Sequence, residues 1–287
     1  MPIYRTEDEL KSFREQLYEK FEHRADSTMD LLDALCSNNH EPSVVQLSLN
    51  PLFRAGYSTL FKAIGESLAT EPEEEEEIPP DKIPVQKEPQ FQCVDLISQV
   101  VPQPQQRHFF LMGQDCTSIA RQFAKSLEDR GMVHQPTQIK GNKPITIGHS
   151  YSLLAMLPER NKEDAPWTIP LDMIRVPTES NSNQQGIAQI NTVLSKPNMP
   201  WTNELCVLVV DSAYGNHQFL TPLQAHKNLV IIARSRSNRV FYQRPIPAEK
   251  SLAKGHPTWY GERFDLKEPQ TWHEPSEVDH TSYQTRR

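Results

Sequence analysis

Residues 206–216, CVLVVDSAYGN, decide the fold class of this chain. The five apolar residues at 206–210 are rich in β-branched valine and too few for an ordinary helix. They predict a strand that is buried on both faces. Asp211 follows where this strand ends, and residues 212–216 have the composition of a turn. Because ligands of open α/β sheets bind at the carboxyl ends of the strands, the stretch predicts a carboxylate at a functional edge.

A second segment, RHFFLMGQD at residues 107–115, has the same design. Its apolar run again ends in a carboxylate, Asp115, and the following Cys116-Thr117-Ser118 can start a helix or a turn. Two strands that end at one edge of a sheet would place Asp115 and Asp211 where they could hold a divalent cation. The alternative is that each aspartate is an ordinary N-cap at a strand-to-helix turn.

Four motifs in the chain carry a family resemblance. They are DCTSIARQFAKSLEDRG at 115–131, KGNKPITIGHSYSLLAMLP at 140–158, VVDSAYGN at 209–216 and WYGERFDLKEPQTW at 259–272. In their order and spacing they resemble the cyanobacterial-type DDE transposases of bacterial insertion sequences, over most of the chain from about residue 20 onwards. The resemblance implies an α/β fold, with a ribonuclease-H-like mixed sheet, flanking helices and a small helical N-terminal region.

By this resemblance, Asp115 corresponds to the first and Asp211 to the second of three acidic residues that bind two Mg²⁺ ions. Mg²⁺ prefers carboxylate, water and phosphate oxygens. A pair of such ions activates the attacking oxygen and stabilises the leaving oxygen in phosphoryl transfer. The resemblance therefore implies metal-dependent cleavage and transfer of DNA strands, with transposon ends and target DNA as partners.

The third acid of this family is a glutamate on a helix that follows a strand-rich insertion. The glutamates of the C-terminal tract are Glu262, Glu268, Glu274 and Glu277. Pro269 and Pro275 make that tract irregular, so none of the four has the expected helical setting. We expect a C-terminally truncated transposase with impaired catalysis. The alternative is a non-catalytic remnant that binds DNA or a full-length transposase.

The chain divides by composition into four regions. They are a helical region at 1–70, an acidic proline-rich linker at 71–90, the ribonuclease-H-like core at 91–245 and the start of a β-rich insertion at 246–287. Thr6 and Glu9 predict a capping box at the first helix. For the helical region, binding of DNA ends and packing on the catalytic sheet are equal alternatives.

The formal net charge of −7 is unexpected for a protein that holds DNA. Six of the acids lie in one run, EPEEEEE at 71–77, so the overall charge argues only weakly against DNA binding. The position of the cations matters more. Candidate contacts to DNA phosphates are Arg121, Lys125, Lys140, Lys143, Arg234, Arg236 and Arg239. For each of them, a solvated surface charge is the alternative.

The four cysteines are scattered and form no CxxC pair, which predicts neither a zinc site nor a disulfide framework. No apolar stretch has the length of a membrane span, and the N-terminus lacks the pattern of a leader. We therefore expect a cytoplasmic protein without a membrane partner. A homodimer or an association with full-length transposase is expected by the resemblance.

One local motif suggests a different class of enzyme. Residues 148–152, GHSYS, approximate the G-x-S-x-G nucleophile elbow of α/β-hydrolases, with Ser150 as the nucleophile. Asp211 and His226 would follow in the chain order of that triad. Ser152 replaces the final glycine and places a Cβ where the sharp turn favours none. A serine hydrolase is therefore the remote alternative.

Overall fold

The structure is a computed structural model. It describes residues 6–38, 43–66, 93–134, 144–161, 163, 165–245 and 259–275. The predicted linker at 71–90 and the candidate residues Lys140, Lys143 and Glu277 lie outside the described residues. Within them the architecture is mixed α/β, with a helical N-terminal part and one large sheet.

Four helices form the N-terminal part. They are α1 (Glu7–Tyr18), α2 (Ala25–Ser37), α3 (Val44–Leu47) and α4 (Tyr57–Glu66). The predicted capping box is confirmed, since the Thr6 hydroxyl accepts from the Glu9 amide and the Glu9 carboxylate accepts from the Thr6 amide. Their small core contains Leu31, Ala34 and Leu60.

The rest of the described chain alternates between strands and helices. The strands are β1 (Phe110–Ala120), β2 (Gly131–His134), β3 (Ile145–Met156), β4 (Ile169–Val176), β5 (Cys206–Val210), β6 (Leu229–Ala233), β7 (Val240–Tyr242) and β8 (Arg263–Asp265). The helices are α5 (Val94–Ser98), α6 (Ser182–Ser195) and α7 (His217–Leu223), with a 3₁₀ turn at Pro269–Thr271. Among the described residues, no helix is long and apolar enough to cross a membrane.

The large sheet is mixed and has six strands. β1, β5 and β6 are parallel neighbours, and β3 pairs with β1 in the antiparallel direction. β2 and β4 both pair with β3, at successive parts of its length. A separate antiparallel pair is formed by β7 and β8. This mixed sheet with flanking helices confirms the predicted ribonuclease-H-like fold class.

One face of the sheet carries the main core. Alternate residues of β1 and β5, among them Phe110, Met112 and Leu208, are almost fully buried there. Helix α6 packs closely on this face because Gly186 has no side chain. A Cβ on Gly186 would lie 3.3 Å from the Phe219 ring and 3.4 Å from the Tyr214 ring. The opposite face leaves Val209 and Ile232 substantially exposed.

The prediction that β1 ends at Asp115 is wrong. The strand continues to Ala120, and Cys116, Thr117 and Ser118 pair with β3 instead of starting a helix or turn. The physical reason is that β1 has two different neighbours. Its parallel pairing with β5 ends at Gln114, while its antiparallel pairing with β3 continues to Ala120. The apolar run marks only the part that lies between both neighbours.

We expect Gly148→Ala to destabilise the sheet. Gly148 pairs with both Ala120 of β1 and Gly131 of β2, and an added Cβ would overlap the carbonyl oxygen of Ile119. The expected loss in unfolding free energy is about 2 kcal/mol or more, measured by denaturant unfolding. Gly65→Ala is the control, because nothing lies within 4 Å of its Cβ in α4. That change should stabilise by up to about 1 kcal/mol. Equal effects of the two substitutions would contradict the packing at Gly148.

Candidate metal and nucleic-acid site

The structure brings Asp115 and Asp211 together. Parallel pairing between β1 and β5 ends with Gln114 opposite Val210, and the two aspartates are the next residue on each strand. Neighbouring strands lie about 4.8 Å apart. Gln114 and Val210 point into the core, whereas both aspartates are exposed. The pair therefore opens to solvent on the sheet face opposite to α6.

Neither aspartate is the N-cap of the helix that follows it. Asp115 lies within β1, and its carboxylate accepts only the amide of Cys116, at 2.8 Å, among the described residues. The Asp211 carboxylate accepts the amide of Ala213, also at 2.8 Å. The helix after β5 is capped instead by Asn216, whose side chain accepts from the Phe219 amide. Each aspartate thus retains a carboxylate oxygen that could contact a cation.

Arg234 extends this row of charges to a third strand. The last pair between β5 and β6 is Val210 with Ala233, and the Arg234 amide still donates to the Val210 carbonyl oxygen at 3.1 Å. Arg234 is therefore the neighbour of Asp211 across the sheet, and it is exposed. The Arg236 guanidinium donates to the Ser212 hydroxyl at 3.3 Å, in the turn after Asp211. Arg239 is exposed further along the same connection.

Arg121 and Lys125 lie elsewhere. Both are exposed in the connection after β1, and Arg121 is six residues beyond Asp115. The Arg121 amide donates to the Ile147 carbonyl oxygen at 2.8 Å, which fixes the start of this connection against β3. Among the candidate cations that the structure describes, Arg234 and Arg236 therefore lie beside the aspartate pair. The role of every one of these cations in binding DNA stays a prediction.

The sequence profile of one protein family, the DDE superfamily endonucleases, matches residues 16–287. The match covers most of the chain and includes both strands that carry the exposed aspartates. The chain belongs to the DDE superfamily endonucleases. A search of curated proteins finds none that matches it. Family membership makes this chain a transposase-like nuclease, and DNA is the substrate that the family implies.

A buried polar network lies directly behind the aspartate pair in this DDE endonuclease. Gln114 Nε2 donates to the Ser152 hydroxyl at 2.7 Å and to Gln189 Oε1 at 3.3 Å. Gln189 in turn donates to the carbonyl oxygens of Ser152 and Asp172. The network ties α6 to β1, β3 and β4 at the residue that precedes Asp115. Sequence reasoning missed it, although a glutamine inside an apolar strand was a visible signal.

Tyr214 joins the turn after Asp211 to the same region. Its ring is buried, packs against Phe219 at a centroid distance of 4.9 Å, and lies next to Gln114 across Gly186. Its amide donates to the Asp211 carbonyl oxygen at 3.3 Å. Burial raises the pKa of Tyr214 to about 12, so the hydroxyl is neutral at physiological pH. The side chains of Gln114 and Ser182 act on this pKa in the opposite, lowering direction, but within the described residues the hydroxyl makes no hydrogen bond of ordinary geometry to them.

The described part of this DDE endonuclease contains no cluster of three or more His, Cys, Asp or Glu side chains that could hold a metal ion. Glu268 pairs with Arg263 at 2.7 Å, and Glu262 lies 3.6 Å from His273. Both glutamates belong to the region of β8 and the 3₁₀ turn. Two carboxylates, completed by water and phosphate oxygens, still fit a single Mg²⁺ ion.

The geometry gives the hydrolase alternative no support. Ser150 lies within β3, so the sharp strand-to-helix turn of a nucleophile elbow is not formed there. Its hydroxyl lies 3.3 Å from the hydroxyl of Ser118. The His226 ring contacts the Asn191 side chain at 2.7 Å.

We expect Tyr214→Phe to leave the stability of this endonuclease unchanged or to raise it by up to about 1 kcal/mol. The substitution keeps the buried ring and removes a hydroxyl that is costly to bury without a partner. Denaturant unfolding is the measurement, and Tyr242→Phe is the control because Tyr242 is half exposed. A loss above about 1 kcal/mol would mean that the hydroxyl is hydrogen-bonded in the folded protein.

Proposed function

We propose that this protein is a transposase-like nuclease for the ends of an insertion sequence, with Asp115 and Asp211 as ligands of Mg²⁺. Its cleavage and joining of DNA strands is impaired, because the described residues place only these two acids at the site. The observation that carries the proposal is the shared register of the two aspartates, each one residue beyond the pair formed by Gln114 and Val210. Two exposed carboxylates on adjacent strands, with no cation beside Asp115 to neutralise it among the described residues, favour a divalent ion.

The residues of the chain can hold such an ion in a defined place. The amides of Cys116 and Ala213 each fix one carboxylate oxygen of their aspartate, which limits the rotation of both side chains. When bound, Mg²⁺ would supply Lewis-acid stabilisation of the phosphate oxygens. Asparagine at either position would keep the shape of the side chain but lose its negative charge.

Cations beside the pair support DNA as the substrate. Arg234 neighbours Asp211, and Arg236 is tied to the turn after it. Guanidinium groups bind phosphate oxygens in a bidentate manner, so these two residues would orient a DNA backbone toward the carboxylates. We include Arg239, Arg121 and Lys125, and from the sequence Lys140 and Lys143, as further phosphate contacts. The expected setting is the cytoplasm.

A second candidate is a protein that binds DNA or a full-length transposase without cutting DNA. The observation that favours it is the absence of a third acid beside Asp115 and Asp211 in the described residues. Phosphoryl transfer by two metal ions relies on both ions, one at the attacking and one at the leaving oxygen. With two carboxylates the second ion loses a ligand and part of the negative charge that offsets the repulsion between the ions.

We therefore expect DNA binding with negligible strand cleavage when the chain acts alone. The assay is nicking of a supercoiled plasmid that carries the element's ends, with Mg²⁺ or Mn²⁺, followed by gel electrophoresis. The full chain is compared with Asp115→Asn, Asp211→Asn and the control Glu204→Gln, an exposed acid that precedes β5. Robust nicking that both aspartate variants abolish, and the control does not, would show that another acid completes the site.

Arg234 provides a test of DNA binding that is independent of cleavage. Arg234→Gln should weaken binding to all DNA sequences and lower the slope of log K against log salt by about 0.9, the value for one phosphate contact. Lys227→Gln is the matched control, because Lys227 is exposed and precedes the opposite end of β6. Fluorescence anisotropy at several salt concentrations measures both quantities. An unchanged slope for Arg234→Gln would remove Arg234 from the phosphate contacts.

A further inference from the structure

The connection between β1 and β2, residues 121–130, presents an aromatic side chain to solvent. Phe123 is 87% exposed, the highest value among the large apolar side chains of the described residues. A single exposed apolar residue is common on protein surfaces and by itself indicates nothing. The surroundings of Phe123 distinguish it from such residues.

The backbone of this connection is tied together by the side chain of Arg130. The Arg130 guanidinium donates to three carbonyl oxygens, those of Arg121, Lys125 and Leu127, each at 3.1 Å. One side chain thus ties both ends of the segment that carries Phe123. Arg130 is consequently used for contacts within the protein. We therefore do not count it among the contacts to DNA phosphates.

The end of the connection is also anchored to the sheet. The Asp129 carboxylate accepts the amide of Thr178 at 3.1 Å and pairs with Arg175 at 3.1 Å. The buried His149 ring contacts the Glu128 carbonyl oxygen at 2.9 Å. These contacts come from His149 in β3, from Arg175 in β4 and from Thr178, which follows β4. Phe123 is therefore exposed on a connection whose backbone is anchored to the sheet.

Two cations flank the ring. Arg121 and Lys125 lie two residues before and two residues after Phe123, and both are exposed. Within the described part of the chain, neither side chain forms an ion pair, and Arg121 makes only a 3.5 Å contact with the Ala120 carbonyl oxygen. Surfaces that bind unpaired nucleic acid combine these two elements, with aromatic rings that stack on bases and cations that contact the backbone.

We infer that Phe123 stacks on an unpaired DNA base while Arg121 and Lys125 contact the phosphates on either side. This inference rests on the proposed DNA substrate. Since Arg121 is six residues beyond Asp115 along β1, at roughly 3.3 Å per residue, the contact lies about 20 Å from the aspartate pair. That distance corresponds to about six base pairs at a rise of roughly 3.4 Å. Because stacking on Phe123 needs an unpaired base, the ligand is a distorted or single-stranded part of the DNA. The distance places this part near the cleavage position.

The test places 2-aminopurine, one base at a time, along DNA that carries the element's ends, and records its fluorescence with the full chain. Wild type should change the fluorescence at one position, about six nucleotides from the cleavage position. Phe123→Tyr should retain this signal, because tyrosine also stacks. Phe123→Ala and Phe123→Leu should lose it and bind the DNA about 5- to 150-fold more weakly.

Met132→Ala is the matched control, since Met132 in β2 is 86% exposed and apolar but cannot stack as an aromatic ring. It should behave as wild type. Thermal unfolding should be unchanged in all variants, because both positions are exposed.

Four results would overturn the inference, in different ways. A full signal with Phe123→Leu would show that an apolar contact suffices and that no stacking occurs. Unchanged DNA binding by Phe123→Ala, together with a lower mass in light scattering, would assign Phe123 to an interface between two copies. Salt-sensitive DNA binding that is unchanged by every Phe123 substitution would contradict the stacking contact but not the proposed function. A wild-type chain that does not bind DNA would contradict both.

Discussion

The parallel pairing of β1 with β5 is the constraint on which the rest of the site depends. Five register pairs, from Phe110 with Cys206 to Gln114 with Val210, place one set of side chains in the main core and turn the alternate set, which includes the exposed Val209, toward the opposite face. A slip by one residue would exchange the two faces and bury the carboxylates of Asp115 and Asp211. Burial of the apolar set therefore determines where the acids emerge.

The buried side of this pairing is unusual in being partly polar. The Gln114 amide nitrogen donates to Gln189 Oε1, and the Gln189 amide nitrogen donates to two backbone carbonyl oxygens, while Gln114 Oε1 lacks a partner among the described residues. An apolar residue at position 114 could pack in the core, but it could not form the hydrogen bond that joins β1 to α6 at this position. The packing of Tyr214 next to Gln114 links the turn after Asp211 to the same place. The residue before Asp115 and the turn after Asp211 are thus packed in the same buried layer.

The charges of the chain are distributed in a way that the net value conceals. Arg234 and Arg236 lie beside the aspartates at the end of β6, while Arg121 and Lys125 flank an exposed ring at the end of β1. Arg130 and Arg175, in contrast, are used inside the protein to hold the connection that carries this ring. The position of an arginine relative to the sheet therefore indicates whether it can contact DNA or stabilises the fold.

The sequence by itself determined the elements whose signals are local. The valine-rich run of β5 and the capping box of Thr6 are predictable because each depends on neighbouring residues. The family, and with it Asp115 and Asp211 as candidate ligands, also followed from motifs in the chain. Only the tertiary structure decided that β1 continues to Ala120, because that half of the strand is held by β3. It also decided the contact between Gln114 and Gln189, since pairing of residues far apart in the chain leaves no local pattern.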